Sequence, residues 1–178
     1  MSGEIQSAYL APEGLREPLL KEVGGVITVH DQLILSSEPF INAHWAQNIW
    51  KNPVALSIDS INDAAKKLKA IQLNWCLYSF TLHRRARLIE EKLNPSKPKH
   101  MSFPTSLPSQ GIGSWCLLNE NTLLASANCS NPFRNGEPSF IEDKNGPPNR
   151  AYLKLYEALT LAEKTPKAGE FCLDFGGS

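Results

Sequence analysis

Short apolar runs separated by turn residues occupy the first 60 positions. The runs predict strands at 6–11, 26–30, 32–35 and 54–58. Between the first two strands, leucines at helical spacing predict a helix over 15–23, which Gly24 and Gly25 end. A strand–helix–strand order is typical of the start of an α+β domain, and this is the fold class that we expect.

Residues 61–71 have the period of an amphipathic helix, and Ser60 stands where it can cap the N-terminus. The lysines of this helix, Lys66, Lys67 and Lys69, face away from its apolar stripe. The simplest interpretation of them is a solvated face, opposite the face that packs on the domain.

The segment 38–54 fits two structures. The spacing of Trp45, Ile49 and Trp50 suits a short helix, but the same run also fits a strand. Core packing is the simplest role for the two tryptophans. The alternative is an aromatic platform on which unpaired nucleobases stack.

Cationic residues crowd the junction between a predicted strand at 74–82 and a predicted helix at 83–93. They are Arg84, Arg85 and Arg87, and Lys92, near the end of the same helix, joins them as an RNA-binding candidate. A helix N-terminus has spare N–H donors and a partial positive charge, and arginine binds phosphate through paired hydrogen bonds. We therefore expect an RNA-contacting surface here. The alternative is a surface cluster paired with Glu90 and Glu91.

The second half of the chain is richer in turns. Two apolar runs within 115–125 predict a hairpin. Residues 127–148 are dominated by turn residues and are interpreted as a linker between domains, docked because it carries Phe133 and Phe140. A last helix is predicted over 149–163.

Composition and charge narrow the possible classes. The 178 residues are 42% hydrophobic, which is ample for a core, and their formal net charge is zero. The charge is unevenly spread, with a balance of −4 over 1–60 and of +4 over 83–100, which favours one basic face. No apolar run reaches membrane-spanning length and no basic, apolar leader opens the chain, so we expect no membrane partner.

The cysteines point to a reducing compartment. They are Cys76, Cys116, Cys129 and Cys172, and none belongs to a C-x-x-C pair. Each lies in or beside an apolar run, where a free cysteine behaves as a small hydrophobe. We therefore expect them to be reduced and structural, and the protein to be cytoplasmic. No histidine lies at metal-ligand spacing, so no metal site is predicted.

The candidate chemistry lies at the end of the sequence. Arg-Ala-Tyr-Leu-Lys-Leu over 150–155 precedes an apolar run that ends in Leu-Asp-Phe-Gly-Gly-Ser over 173–178. An acid and two glycines after an apolar run indicate a buried parallel strand that ends at a ligand site, although an ordinary strand-to-loop exit has the same pattern. The pair of motifs resembles the FtsJ/RlmM-like RNA 2′-O-methyltransferases. In that family a helix carrying Ser-Arg-x-x-x-Lys-Leu precedes a strand ending in Asp-Leu-Gly-Ala-Ser/Ala-Pro-Gly-Gly-Trp.

The resemblance, which covers residues 139–178, implies roles for particular residues. Lys154 matches the first lysine of the family's catalytic Lys-Asp-Lys-Glu tetrad. The start of the S-adenosylmethionine loop is matched by Asp174, Gly176, Gly177 and Ser178. The sequence departs from the family at Asn149, which replaces Ser, and at Phe175 and Gly177, which replace Leu and Ala. The Pro-Gly-Gly-Trp is absent.

These observations combine into one expectation. A THUMP-like or ferredoxin-like RNA-recognition domain occupies 1–145, and 146–178 supply the first helix and strand of a Rossmann-like methyltransferase domain, cut inside its cofactor loop. The chain then gives rRNA recognition and one catalytic lysine to a ribose 2′-O-methyltransferase and is inactive alone. Its tail strand lacks a partner, so it docks on the first domain, pairs with a second copy or is irregular. Two alternatives stay open: a non-catalytic RNA-binding module and a protein-interaction domain.

Overall fold

A computed structural model describes residues 4–95, 100–146 and 149–173. The chain divides into two compact units. The larger unit takes its described residues from Met1–Lys97 and Pro108–Glu137, and the smaller one from Pro98–Leu107 and Pro138–Ser178. All the strands found in the described residues lie in the larger unit, together with three of the four α-helices. This mixed content confirms the α+β class.

The first sheet is antiparallel throughout. Its strands in the described residues are β1 (Ser7–Leu10), β2 (Val26–His30), β3 (Leu33–Ser36), β4 (Asn48–Lys51) and β9 (Asn128–Cys129). Their order across the sheet is β2-β3-β1-β4-β9. Helix α1 (Arg16–Glu22) connects β1 to β2.

The second sheet is mixed. Its strands in the same part of the chain are β5 (Val54–Ser57), β6 (Trp75–Leu77), β7 (Gly113–Asn119) and β8 (Thr122–Ser126). Their order is β5-β8-β7-β6, and only β6 and β7 are parallel. Helix α2 (Ile61–Ile71) connects β5 to β6, and helix α3 (His83–Leu93) follows β6.

Alternation along the strands explains why the two sheets stack face to face. In β1, Ala8 and Leu10 join a buried core in which Trp50 of β4 meets Cys116 and Leu124 of the second sheet. Successive side chains of a strand point to opposite faces, so the residues between them form separate cores on the outer faces.

The outer faces of both sheets are covered by helices. Tyr9 and Ile49 of the first sheet pack with Leu19 of α1. On the second sheet, Trp115 packs with Ile89 of α3, in a core that also holds α2. The larger unit is therefore a stack of four layers: α1, the first sheet, the second sheet, and the α2–α3 pair. Each large apolar side chain buried in these cores contributes about 1.5–3 kcal/mol.

The predicted helices are found close to their predicted bounds. Those at 61–71 and 83–93 are reproduced without change, and that at 15–23 is one residue shorter at each end. The Ser60 Oγ accepts a hydrogen bond from the N–H of Asp63 at 3.1 Å, so the predicted cap of α2 is confirmed.

One open alternative is decided and one predicted strand is corrected. The ambiguous segment 38–54 contains β4 and no helix, and its tryptophans differ, because Trp50 is fully buried while Trp45 is 47% exposed. The strand predicted at 74–82 stops at Leu77. The Tyr78 N–H still donates to the carbonyl oxygen of Trp115 at 2.8 Å, and the chain then turns through Leu82, which has a left-handed φ of 48°, into α3.

Half of the predicted linker belongs to the larger unit. Residues 127–137 contain β9 and a short 3-10 turn, Arg134–Gly136. Gln47 fixes this segment, since its Nε2 donates to the carbonyl oxygen of Asn135 at 2.8 Å. Phe133 and Phe140 are buried, as expected of a docked segment.

The smaller unit is built on helix α4 (Tyr152–Leu161). The ring of Tyr156 stacks on Phe103 with a centroid separation of 4.0 Å, and Phe140 meets it edge-on. The apolar side of α4 is only partly buried, and Leu155 on it is 57% exposed.

The strand expected before Asp174 is not found. Residues 170–173 have no regular structure, and Phe171 and Leu173 are 101% and 80% exposed. An apolar strand needs a hydrogen-bonded neighbour and a covered face, and no strand of the described residues provides either. The part of the predicted tail strand that is described, residues 170–173, is irregular, and residues 174–178 lie outside the described residues.

All four cysteines are free. Burial raises the pKa of the Cys116 thiol to about 12 and that of Cys76 to about 11, which makes both poor nucleophiles. None of the helices in the described residues has the length and hydrophobicity that a membrane crossing requires.

Candidate nucleic-acid interface

The packing of α3 decides which of its residues face outward. Ala86, Ile89 and Leu93 lie at helical spacing and are buried against the second sheet. The opposite side of the helix is therefore the outer surface of the fourth layer. It is this side that carries most of the cations predicted to contact RNA.

The N-terminus of α3 is not capped by a side chain. Leu82 occupies the N-cap position in a left-handed conformation and makes no side-chain cap hydrogen bond. The neighbouring Ser79 hydroxyl is instead 2.8 Å from the Nδ1 of His83. The helix thus begins with first-turn N–H donors that no cap satisfies, and such donors together with the helix dipole favour an anion.

The three arginines of the first turns are not equivalent. Arg84 and Arg87 are exposed and, being three residues apart, share one side of the helix. Arg85 is half-buried, and its Nε is enclosed without a hydrogen-bond partner in the described part of the chain. Two of the three candidate RNA-contacting arginines are therefore exposed, and the third is only half exposed.

The arginines are not neutralised by the glutamates of their own helix. Among residues 4–95, 100–146 and 149–173, no ion pair joins Arg84, Arg85 or Arg87 to Glu90 or Glu91. The internally paired cluster that the sequence left open is thus not what the described residues show. The positive charge remains available to a partner.

Lys92 lies at the other end of α3 and lines a groove of about 310 Å³ between α2 and α3. The groove, called the α2–α3 groove below, is bordered by Asn62, Ala65, Lys66, Lys69 and Lys92. The lysines of α2 were interpreted from the sequence as an ordinary solvated face. They lie near Lys92 because α2 packs beside α3. The periodicity of α2 alone cannot predict this contact between two helices.

One lysine of α2 is used internally. The Nζ of Lys67 lies 2.8 Å from the Oδ2 of Asp63 and donates to the carbonyl oxygen of Ser57 at 2.7 Å. The hydrogen bond from Lys67 lowers the pKa of Asp63. Asp63 is therefore paired with Lys67, and a weaker charge interaction with Lys66 also lowers its pKa. The remaining cations define the helical basic face: Lys66, Lys69, Arg84, Arg85, Arg87 and Lys92.

A second surface has an exposed aromatic ring. The carboxylate of Glu22, at the end of α1, accepts hydrogen bonds from the N–H of His44 at 2.7 Å and of Trp45 at 3.2 Å. The loop is held in place with the Trp45 indole half in solvent. Of the two tryptophans considered for base stacking, only Trp45 is therefore accessible.

The residues assigned to catalysis form no enclosed site in the part of the chain that is described. Lys154 is on α4 with its side chain 87% exposed, and its Nζ is 3.1 Å from the Oε2 of Glu157. This is the pairing expected of an ordinary surface lysine. The residues matched to the cofactor loop, Asp174, Gly176, Gly177 and Ser178, lie outside the described residues. In the part of the chain that is described, no group of His, Cys, Asp and Glu side chains is placed to hold a metal ion.

In comparisons with known proteins, no family model, no curated protein and no solved structure matches the chain.

Proposed function

We propose that this chain is the RNA-recognition part of a ribose 2′-O-methyltransferase that uses S-adenosylmethionine, and that its helical basic face contacts the backbone phosphates of rRNA. One observation carries the recognition half of the proposal. A chain of zero net charge presents six cations on one helical layer, and none of them is neutralised by an ion pair in the described residues.

Phosphate is the ligand that this face suits best. Arginine side chains bind a phosphate through paired hydrogen bonds, and the uncapped N-terminus of α3 adds donors and positive potential beside Arg84 and Arg87. Exposed cations that contact phosphates release the condensed counterions of the nucleic acid, which supplies sequence-independent affinity. A THUMP-like or ferredoxin-like module is the finer form of this proposal, and the α+β content supports its coarse class.

The methyltransferase half of the proposal is supported by the motifs at 150–155 and 173–178. S-adenosylmethionine, when bound, supplies the methyl group to a ribose hydroxyl, and a cation beside that hydroxyl would stabilise the developing oxyanion. Lys154 is proposed for this role. The proposal includes that the 178 residues alone do not complete the cofactor site. The exposed and irregular residues 170–173 support it, because α/β sheets bind ligands in a crevice between strand ends.

RNA binding is tested by fluorescence anisotropy with a labelled rRNA stem–loop at several KCl concentrations. The triple variant Arg84→Ala/Arg85→Ala/Arg87→Ala should bind more weakly. The slope of log Kd against log salt should fall by about 0.7 to 0.9 for each phosphate that the variant no longer binds.

The control removes the same charge from exposed lysines outside the helical basic face. In Lys21→Ala/Lys164→Ala/Lys167→Ala, affinity and slope should both stay near those of the wild type. Equal weakening in the two triple variants would show that only total charge matters. Unchanged binding after removal of the arginines would contradict the assignment.

Catalysis is tested in two steps. Calorimetry should detect no binding of S-adenosylmethionine to the 178-residue chain. In a protein that carries the complete catalytic domain, Lys154→Ala should abolish methyl transfer and leave cofactor affinity nearly unchanged, because the lysine serves the ribose oxygen. Full activity of that variant would refute the role of Lys154.

A non-catalytic RNA-binding module is the second candidate, and the Lys154–Glu157 pair favours it. The lysine already has a partner that accounts for its position on the helix surface. The two candidates differ in the assay with the complete catalytic domain, since only the first predicts transfer of a methyl group to a ribose hydroxyl.

A further inference from the structure

We propose that the α2–α3 groove is a second phosphate-binding position, which seats the RNA backbone next to the position at the N-terminus of α3. The inference rests on the proposed function and deepens it, because it adds Lys66 and Lys69 of α2 to the RNA contacts and names the RNA backbone as their partner.

The groove brings cations together from two helices. Lys66 and Lys69 are exposed and three residues apart, so they share one side of α2, while Lys92 comes from α3. Between them lies Ala65, whose buried methyl group leaves the groove open where a longer side chain would fill it. The volume of about 310 Å³ equals the space of about ten water molecules, which admits a phosphate with part of its ribose.

The groove has positive charge and no acid in its lining. Its polar border consists of three ammonium groups and the amide of Asn62. The nearest carboxylate along α2, that of Asp63, is bound to Lys67. In the described residues no ion pair is formed by Lys66, Lys69 or Lys92. Three like charges around one concavity repel each other, and an anion that enters it relieves this repulsion.

The length of the basic face indicates a polymer and not a single phosphate. Lys92 lies seven residues after Arg85, and at 1.5 Å per residue this places them about 10 Å apart along α3. One phosphate group cannot contact both. A strand with successive phosphates can, with one phosphate at the N-terminus of α3 and another at Lys92 in the α2–α3 groove. The helical basic face is therefore a track for an RNA backbone, from the first turn of α3 to the α2–α3 groove.

The test uses the same labelled rRNA stem–loop and the double variant Lys66→Ala/Lys69→Ala. Both lysines are exposed, so the fold should persist, as a thermal unfolding curve will check. RNA affinity should fall, and the salt slope should decrease by about 1.4 to 1.8 for two phosphate contacts. Lys66→Arg/Lys69→Arg keeps the charge and should restore the slope. Lys164→Ala/Lys167→Ala is the matched control and should bind as the wild type does.

The outcomes separate this inference from the proposed function. If the double variant binds RNA with unchanged affinity and slope while the triple arginine variant is impaired, the groove is not part of the track, although the proposed function stands. If the wild-type chain binds no RNA, the proposed function fails as well. Competition by inorganic phosphate alone at concentrations that match those of RNA phosphate would overturn the polymer argument. Equal affinity for heparin would show that the surface binds polyanions in general and would overturn the assignment of RNA as its ligand.

Discussion

Helices α3 and α4 both have an apolar stripe in the sequence, but only α3 buries it. Ile89 of α3 is fully buried against the second sheet, whereas Leu155 of α4 is more than half exposed. The reason is the surface available to each helix. Helix α3 covers a sheet that presents Trp75 and Trp115, while α4 contacts a few aromatic rings of its own unit. Periodicity thus tells which face of a helix is apolar, but burial requires a matching surface.

The same difference separates the two halves of the proposed function. The cations assigned to RNA are presented by helices held on a buried core, so their directions are fixed by packing. The lysine assigned to catalysis is on α4, which is packed against fewer buried side chains than α3. The apolar residues that follow this helix are exposed. Four predictions test this contrast, beginning with the largest effect.

The greatest contrast is expected in thiol reactivity. Cys172 is exposed in the irregular tail, whereas Cys116 is buried between the sheets with a pKa raised to about 12. A buried thiol reacts only when the protein opens, and folding equilibrium constants are at least about a thousand. Cys172 should therefore react with a disulfide reagent at least about a thousandfold faster, as followed by mass spectrometry. Comparable rates would mean that the four-layer core opens readily.

The next effect is on stability, and it compares the same substitution in two helices. Leu68→Ala in α2 removes a fully buried side chain and should lower the free energy of unfolding by about 2.7–5 kcal/mol. Leu155→Ala in α4 should change it by no more than about 0.5 kcal/mol. Urea unfolding followed by far-UV circular dichroism measures both. A large loss from Leu155→Ala would show that α4 is better packed than its exposure indicates.

A smaller effect is expected at acid pH. Hydrogen bonds from the His44 and Trp45 backbone and from the His44 ring hold the pKa of Glu22 below its ordinary value of 4.5. A depressed pKa contributes stability above the unfolded value and loses it as the pH falls through the folded value. The melting temperature should therefore fall less on acidification below pH 4.5 in Glu22→Gln than in the wild type.

Asp143 provides the matched control for Glu22 in the smaller unit. Its pKa is also lowered, but by hydrogen bonds from Asn145 and Gly146 in its own turn. Asp143→Asn should leave the tryptophan-detected acid transition unchanged, because all four tryptophans lie in the larger unit. An equal response of that transition to both substitutions would contradict the separate roles given to the two carboxylates.

The smallest effect is expected at the catalytic candidate. Lys154→Ala removes an exposed ion pair with Glu157, and such pairs contribute about 0.2–0.5 kcal/mol. The free energy of unfolding should therefore hardly change, and raised salt should remove the remaining difference. A loss above about 1 kcal/mol would show that Lys154 has a structural role, which would weaken its proposed part in catalysis.

The sequence predicted local secondary structure better than it predicted which residues meet in space. The bounds of α2 and α3 follow from a period of 3.6 residues and, in α2, a serine cap, and both signals are contained in the segment itself. The position of Trp45, the conformation of 171–173 and the meeting of Lys66 with Lys92 depend on residues far along the chain. Long-range pairing leaves no trace in a local pattern, so these features required the structure.

The strand order has a consequence for how the protein is made. In the described residues, strands β5 and β6 are the edges of the second sheet, and each pairs there only with a strand of the β7–β8 hairpin. On a ribosome, both edge strands are synthesised well before the hairpin that joins them. The apolar faces of α2 and α3 cannot be buried before the hairpin is made either, because they pack against its Trp115 and Leu123. Folding of the larger unit is therefore expected to be late and cooperative, and the nascent chain depends on protection from aggregation until residue 126 has left the exit tunnel.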